Sequence, residues 1–206
     1  MSFADAAKTW NQRYAGDAFL FGEAPNAFLA ASRAWLAPGQ RALSIADGEG
    51  RNSVWLARQG LEVDAFDIAE VAVDKARRFA ARSGVAVRYA VADILQLAWP
   101  SDCYDVIAAI FIQFAAPAER DSIFRGIVGA LRPSGVLLLQ GYRPEQLAYR
   151  TGGPPLAENM YTEPLLREAF AALDIRHLAS HDDIVREGSG HNGMSALIDM
   201  VAVKPR

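Results

Sequence analysis

Short apolar runs alternate with helix-spaced patterns along most of this chain, which predicts strand–helix–strand units around a parallel sheet. Residues 41–46 (RALSIA) read as a first strand, and residues 61–66 (LEVDAF) alternate apolar and polar as a second. Between them a helix starts near Asn52 and ends near Gly60; another spans 70–82 and stops at Ser83-Gly84. Residues 85–90 form a third strand. Residues 105–111 (DVIAAIF) form a fourth, whose unbroken apolar character marks a central strand covered on both faces. Pro117 suits the first turn of a helix running to Leu131. Arg132-Pro133-Ser134-Gly135 reads as a turn and 136–140 (VLLLQ) as the fifth strand. A helix after Thr162 and Pro164 reaches about Ala172, and strands at 175–179 and 196–203 close the domain.

Three successive strand ends carry the residues that can do chemistry. The first is Ala46-Asp47-Gly48-Glu49-Gly50-Arg51-Asn52, whose glycines let the backbone turn sharply against a ligand at a helix N-terminus. The second is Asp67, roughly 20 residues beyond Gly48, where a carboxylate can accept from both hydroxyls of a ribose. The third is Asp93-Ile94, a carboxylate for an adenine amino group with an apolar side chain for the ring. Taken singly, each has a plain reading: a tight turn, a helix cap, a solvated loop residue. Their spacing over consecutive strand–helix units is what points to one adenosyl ligand at the switch point of the sheet.

Composition narrows the class. Hydrophobic residues make up 51% of the 206 and charged residues 22%, enough for one compact domain with a core. A formal charge of -3 gives no basic surface for nucleic acid. The single cysteine, Cys103, permits no intrachain disulfide and fits a reducing compartment. The start of the chain lacks the pattern of a signal peptide, and no apolar run reaches the roughly 20 residues of a membrane span. A cytoplasmic location is therefore expected, with no membrane or nucleic-acid partner and no metal; oligomeric state is not legible.

Which adenosyl ligand is decided less sharply by spacing. Gly48-x-Gly50-x-x-Ser53 keeps a dinucleotide in play, whereas small-x-Gly-x-Gly from Ala46 resembles the first motif of class I methyltransferases. The Leu-Arg-Pro-Ser-Gly turn and the terminal ALIDMVAV resemble the same family. The run Asp47–Ala57 (DGEGRNSVWLA) narrows the resemblance to the branch that contains tellurite-resistance and thiopurine methyltransferases. Trp10, Arg13 and Tyr14, with Phe21-Gly22-Glu23-x-Pro25-Asn26, resemble that branch's N-terminal cap, which folds over the cofactor.

The resemblance implies a Rossmann-like, doubly wound, mostly parallel seven-stranded sheet with an antiparallel last strand. It also implies a single methyltransferase domain: cap 1–40, core 41–140, lid 141–161 and sheet completion 162–206. S-adenosyl-L-methionine is the implied cofactor, held by Trp10, Ala46, Asp47, Gly48, Gly50, Asn52, Asp67, Ile68, Asp93, Ile94 and Ile110. Two positions depart from the family pattern. The acidic residue of strand one is Ser44 and the first glycine of the turn is Ala46, so the cofactor's ammonium needs another anion, Asp47 or Glu49.

The acceptor is read as a small molecule: a thiol, a metalloid oxyanion or a similar nucleophile. Such methyl transfer is an in-line displacement that rewards positioning and exclusion of water. His191 and Arg186 are the catalytic candidates and Arg13 and Tyr142 the acceptor-binding ones. Against them stand a structural role for His177, and a solvated, charge-balanced loop around His181 and Arg186. Cys103 reads as inert, and Phe111, Gln113 and Phe114 as acceptor contacts or core. Two other functions compete: a non-catalytic adenosyl-binding regulator, and a nicotinamide-dependent oxidoreductase.

Overall fold

The computed structural model describes residues 3–206. Its seven strands form a mixed α/β sheet in the order β3-β2-β1-β4-β5-β7-β6. The chain packs as two compact units: one runs through Leu97 and takes in Glu187–Gly190, the other comprises Ala98–Arg186 and His191–Arg206.

In the first unit, α1 (Phe3–Arg13), α2 (Ala27–Ala31) and a 3-10 turn (Ser32–Trp35) precede β1 (Arg41–Ile45), α3 (Arg51–Arg58), β2 (Glu62–Asp67), α4 (Glu70–Arg82) and β3 (Val87–Val91). The strands are parallel, with Arg41 opposite Glu62 and Val63 opposite Val87. Parallel pairing forces the chain to cross back between strands, and α3 and α4 are those crossovers. Their buried faces carry Val54, Leu56, Ala72, Val73, Ala76 and Phe79. Asn26 caps α2 by accepting from the Leu29 amide at 3.0 Å.

The second unit holds β4 (Tyr104–Ile110), α5 (Pro117–Ala130), β5 (Leu131–Tyr142), α6 (Gln146–Tyr149), a 3-10 turn (Ala157–Asn159), α7 (Glu163–Ala169), β6 (Asp174–Glu187) and β7 (His191–Val203). Val106, Ile107, Ala108 and Ala109 of β4 are almost fully buried, as the apolar run requires; each of the larger side chains contributes about 1.5–3 kcal/mol of burial. β4 and β5 are parallel, and β7 runs antiparallel to β5 from Val136 opposite Val203 to Tyr142 opposite Leu197. Pro117 opens α5, where Glu119 accepts from the Ala116 amide at 3.0 Å.

Two expectations are corrected. The turn at 132–135 lies inside β5: pairing jumps from Tyr104 opposite Leu131 to Val106 opposite Val136, and Ser134 adopts φ 66°. Residues 132–134 swell outward, exposed, without ending the strand. Likewise, the loop expected around His181 and Arg186 is a long hairpin arm, with β6 continuing to Glu187 and β7 starting at His191. Its many charges sit on a strand that is mostly open to solvent, so composition hid the pairing. The arm turns at Gly188, whose φ is 62° and whose missing Cβ leaves room for the Leu20 carbonyl oxygen. The Gly190 amide donates to that same oxygen at 2.9 Å.

Candidate functional site

The loop after β1 turns in three left-handed steps, at Ala46, Gly48 and Gly50. Ala46 takes φ 47° where a glycine would do so without strain, and Gly50, at φ 94°, forms the N-cap of α3. A Cβ on Gly50 would lie 2.9 Å from the Ala76 Cβ, so the loop can lie against α4 only without one. Asp67, at the end of β2, spans the start of that loop. Its Oδ2 accepts from the Gly48 amide at 2.9 Å and its Oδ1 from the Ala69 amide at 2.9 Å. The Ile68 amide is a further backbone donor to this carboxylate, whose four lone-pair sites are thus not all filled.

Asp47 points into a buried polar chain. Its Oδ1 accepts from the Ser44 hydroxyl at 2.6 Å and the Ser53 amide at 3.1 Å, and its Oδ2 accepts from the Ser53 hydroxyl. That hydroxyl also meets the Tyr89 hydroxyl at 2.8 Å. Burial pushes the Asp47 carboxyl up to about 7, opposed by the hydrogen bonds from Ser44 and Ser53 and reinforced by Asp67. Burial also raises Asp67, against the hydrogen bonds of its backbone donors. No ion pair among the described residues neutralises either carboxylate.

Glu49 differs. It forms a buried ion pair with Lys75 and accepts from the Leu20 amide at 2.7 Å. The same ammonium donates to the carbonyls of Tyr14, Gly16 and Ala18 at 3.3, 2.7 and 2.9 Å. Glu49 is thus already balanced by a cation, and of the two acids considered for an ammonium only Asp47 retains its charge unpaired.

The remaining first-unit residues fall around this loop. Trp10 stacks on Tyr14 with ring centroids 5.5 Å apart, and the Arg13 guanidinium lies 4.3 Å from the Trp10 ring. Tyr14 is buried, its hydroxyl 2.9 Å from where a Gly48 Cβ would stand. Burial, then Asp67 and Glu49, raise its phenol well above the ordinary value. Asn52 accepts the Asn26 amide at 3.0 Å, an interaction that ties α2 to α3. Ile68 is half-buried and Ile94 buried; Asp93 accepts from the Leu95 amide at 2.9 Å and from Gln96 at 3.0 Å.

In the second unit, Ile110 is buried at the end of β4. Phe111 follows in the left-handed region at φ 55°, a strained conformation for a bulky residue. Its ring stacks on Tyr142 at 4.7 Å, and His191 meets both rings edge-on, at 4.7 and 5.7 Å. Met160 and Leu197 complete the cluster. Arg186 is exposed, on the face of β6 opposite its neighbours Val185 and Glu187. His181, instead of lying in a loop, meets Asp199 on β7 at 2.9 Å, and Gln140 donates to the same carboxylate at 2.6 Å.

Sequence reasoning missed Lys75 and Glu187. Lys75 falls among Ala72, Ala76 and Phe79 on the buried face of α4, a signal that helical spacing contains. Glu187 pairs with Arg51 at 2.6 Å and accepts from Asn26 at 3.0 Å, partners too distant in sequence to infer.

Comparison with known proteins now bears on this arrangement. Residues 42–135 match the family model described as a methyltransferase domain. The matched stretch falls short of half the chain, and the fold is one shared with solved methyltransferase structures. Among solved structures, the N-methyltransferase NodS from Bradyrhizobium japonicum WM9 in complex with S-adenosyl-L-homocysteine superposes with a TM-score of 0.72 at 15% identity, covering 97% of this chain and 98% of NodS. TehB from Haemophilus influenzae gives 0.71 at 17% identity over 96% of this chain and 66% of TehB. Uncharacterized proteins of Mycobacterium tuberculosis and Mycobacterium bovis are 29% identical over 126 residues, 59% of this chain and 45% of each relative. The chain thus spans less than half the length of the curated relatives it matches.

Proposed function

We propose that this chain transfers the methyl group of S-adenosylmethionine to a small-molecule nucleophile. The observation that carries the reading is the pair of buried carboxylates at the glycine loop, Asp47 and Asp67, with no cation among the described residues to balance them. A buried anion without a partner is costly and favours a cationic ligand. S-adenosylmethionine brings a sulfonium and an ammonium. A dinucleotide would instead set a pyrophosphate beside two acids, which argues against the oxidoreductase.

When bound, the cofactor supplies an electrophilic methyl group. In this reading Asp67 clasps the ribose through its remaining lone pairs, Asp93 takes the adenine amino group, and Ile68 and Ile94 flank the ring. Asp47 answers the ammonium in place of the acid that Ser44 lacks. Tyr14, Trp10 and Arg13 close over the loop and exclude water, held by Lys75 through the carbonyls of residues 14, 16 and 18. On the acceptor side we assign Tyr142 and His191, packed with Phe111, to positioning; of the lid expected at 141–161, Gly141 and Tyr142 belong to β5, which leaves residues 143–157 for that role. Arg186, being exposed, remains a candidate only for an acceptor approaching from solvent.

Isothermal titration tests the reading directly. Micromolar binding of S-adenosylmethionine and S-adenosylhomocysteine, with weaker binding of NADH, is expected. Tighter binding of NADH, or none of the sulfonium and its product, overturns it.

A further inference from the structure

Beyond the glycine loop, the second unit buries a charge of the opposite sign. Arg120, on the first turns of α5, is 8% exposed and no carboxylate among the described residues pairs with it. One of its terminal nitrogens donates to the Glu158 carbonyl at 2.7 Å, while its buried Nε has no acceptor. Close by, Tyr161 is fully buried and its hydroxyl has no hydrogen-bond partner. The buried Oδ1 of Asn159, next to Glu158 in sequence, also lacks a donor.

These groups are held together by a scaffold. Gln113, beyond the end of β4, donates to the Tyr142 carbonyl at 2.8 Å and to the Asn159 carbonyl at 3.4 Å, and accepts from the Tyr142 amide at 2.5 Å. The Tyr161 amide in turn donates to the Tyr142 carbonyl at 2.9 Å. A Cβ on Gly141 would lie 2.7 Å from the Tyr161 ring, so the strand end leaves room for that ring only as glycine. The Tyr161 phenol feels the Arg120 charge, and Arg120 reaches the residue beside Asn159. On the segments that follow β4 and β5, at the end where α/β sheets bind ligands, these three groups lack the partners that buried groups normally have.

We infer that Arg120 and Tyr161, with Asn159 beside them, form a recognition site for a small oxyanion carried by the methyl acceptor. The inference rests on the methyltransferase reading for its role, though not for its chemistry. A planar guanidinium matches the two oxygens of a carboxylate and brings the compensating charge. Burial keeps the Tyr161 phenol protonated, so it donates to an anion. The Asn159 amide offers its nitrogen after a half-turn of the side chain, an exchange that hydrogen bonding alone decides. An organic carboxylate and an inorganic oxyanion that is itself the acceptor share this chemistry.

Calorimetric titration of the full chain with benzoate, selenite and neutral benzamide tests the site, with and without saturating S-adenosylhomocysteine. Benzoate or selenite binds, benzamide does not, and Arg120→Met weakens binding at least tenfold. Tyr161→Phe weakens it about threefold or more without lowering Tm, which separates recognition from mere packing. Binding of benzoate alone identifies an organic carboxylate, and binding of selenite alone an inorganic acceptor. Binding of neither anion, equal binding of benzamide, or unchanged affinity in both variants overturns the inference. Failure of S-adenosylhomocysteine to bind counts against the proposed function, while the titrations without it still decide the oxyanion site.

Discussion

The glycine loop of the first unit and the β4–β5 ends of the second are both buried, polar and electrically unbalanced, but in opposite senses. Around the loop, burial raises the Asp47 and Asp67 carboxyls and no cation among the described residues offsets it, while the neighbouring Glu49 is neutralised by Lys75. Around α5, Arg120 carries positive charge with no carboxylate paired to it among the described residues. One region suits a cation and the other an anion. The contrast teaches that local imbalance, more than the number of polar residues, tells a ligand site from a structural network.

The contrast breaks most sharply at Asp67. Asp67→Ala should weaken S-adenosylhomocysteine binding about a hundredfold or more, since two hydrogen bonds to a charged group are worth roughly 1.5–3 kcal/mol each; titration calorimetry reads this. Unchanged affinity would remove the ribose clasp.

A control for balanced charge comes next. Arg51 and Glu187 neutralise each other with both side chains largely buried, so Glu187→Ala leaves a buried cation and should destabilise the fold by about 3 kcal/mol in urea unfolding. A loss below about 1 kcal/mol would place this pair among weak surface bridges.

Asp47 sharpens the comparison through pH. Its carboxyl titrates near 7 when folded and near 4 when unfolded, so the folded state holds the proton more tightly. The stability linked to that proton is complete below about pH 4 and is lost as pH rises through about 7. Asp67, raised in the same direction, adds to the slope. Asp47→Asn should therefore gain Tm relative to the parent between pH 5 and pH 8; parallel curves would refute the unpaired anion.

The smallest effect belongs to Ala46. Relieving its left-handed backbone with Ala46→Gly gains about 1 kcal/mol in the native state and loses roughly half to all of that to the freer unfolded chain. Denaturation midpoints should rise slightly or stay level; a marked fall would mean the Ala46 methyl packs usefully.

Much of this was legible before any coordinates. The apolar run of β4, the period-two pattern of β2 and the glycines before α3 report directly on backbone and burial, and each element lies within a few residues of its expected place. Asp67 was legible because a strand end and a glycine loop fix each other's spacing. The β6–β7 arm was not, because exposed strands carry charges that mimic a loop. Nor were Lys75, Glu187 and Arg120: a charged residue reads as solvated until the fold reveals what surrounds it, and their partners lie far along the chain. Tyr14 was visible as part of a cap, but not its place against Gly48.

The tip at Glu187–Gly190 has a bearing on how the polypeptide is made. Arg51 leaves the ribosome before the acid that neutralises it, which lies 136 residues later. Until that point has been translated, the nascent first unit holds a cation without its mate, so its final setting waits for the tip of the arm to emerge.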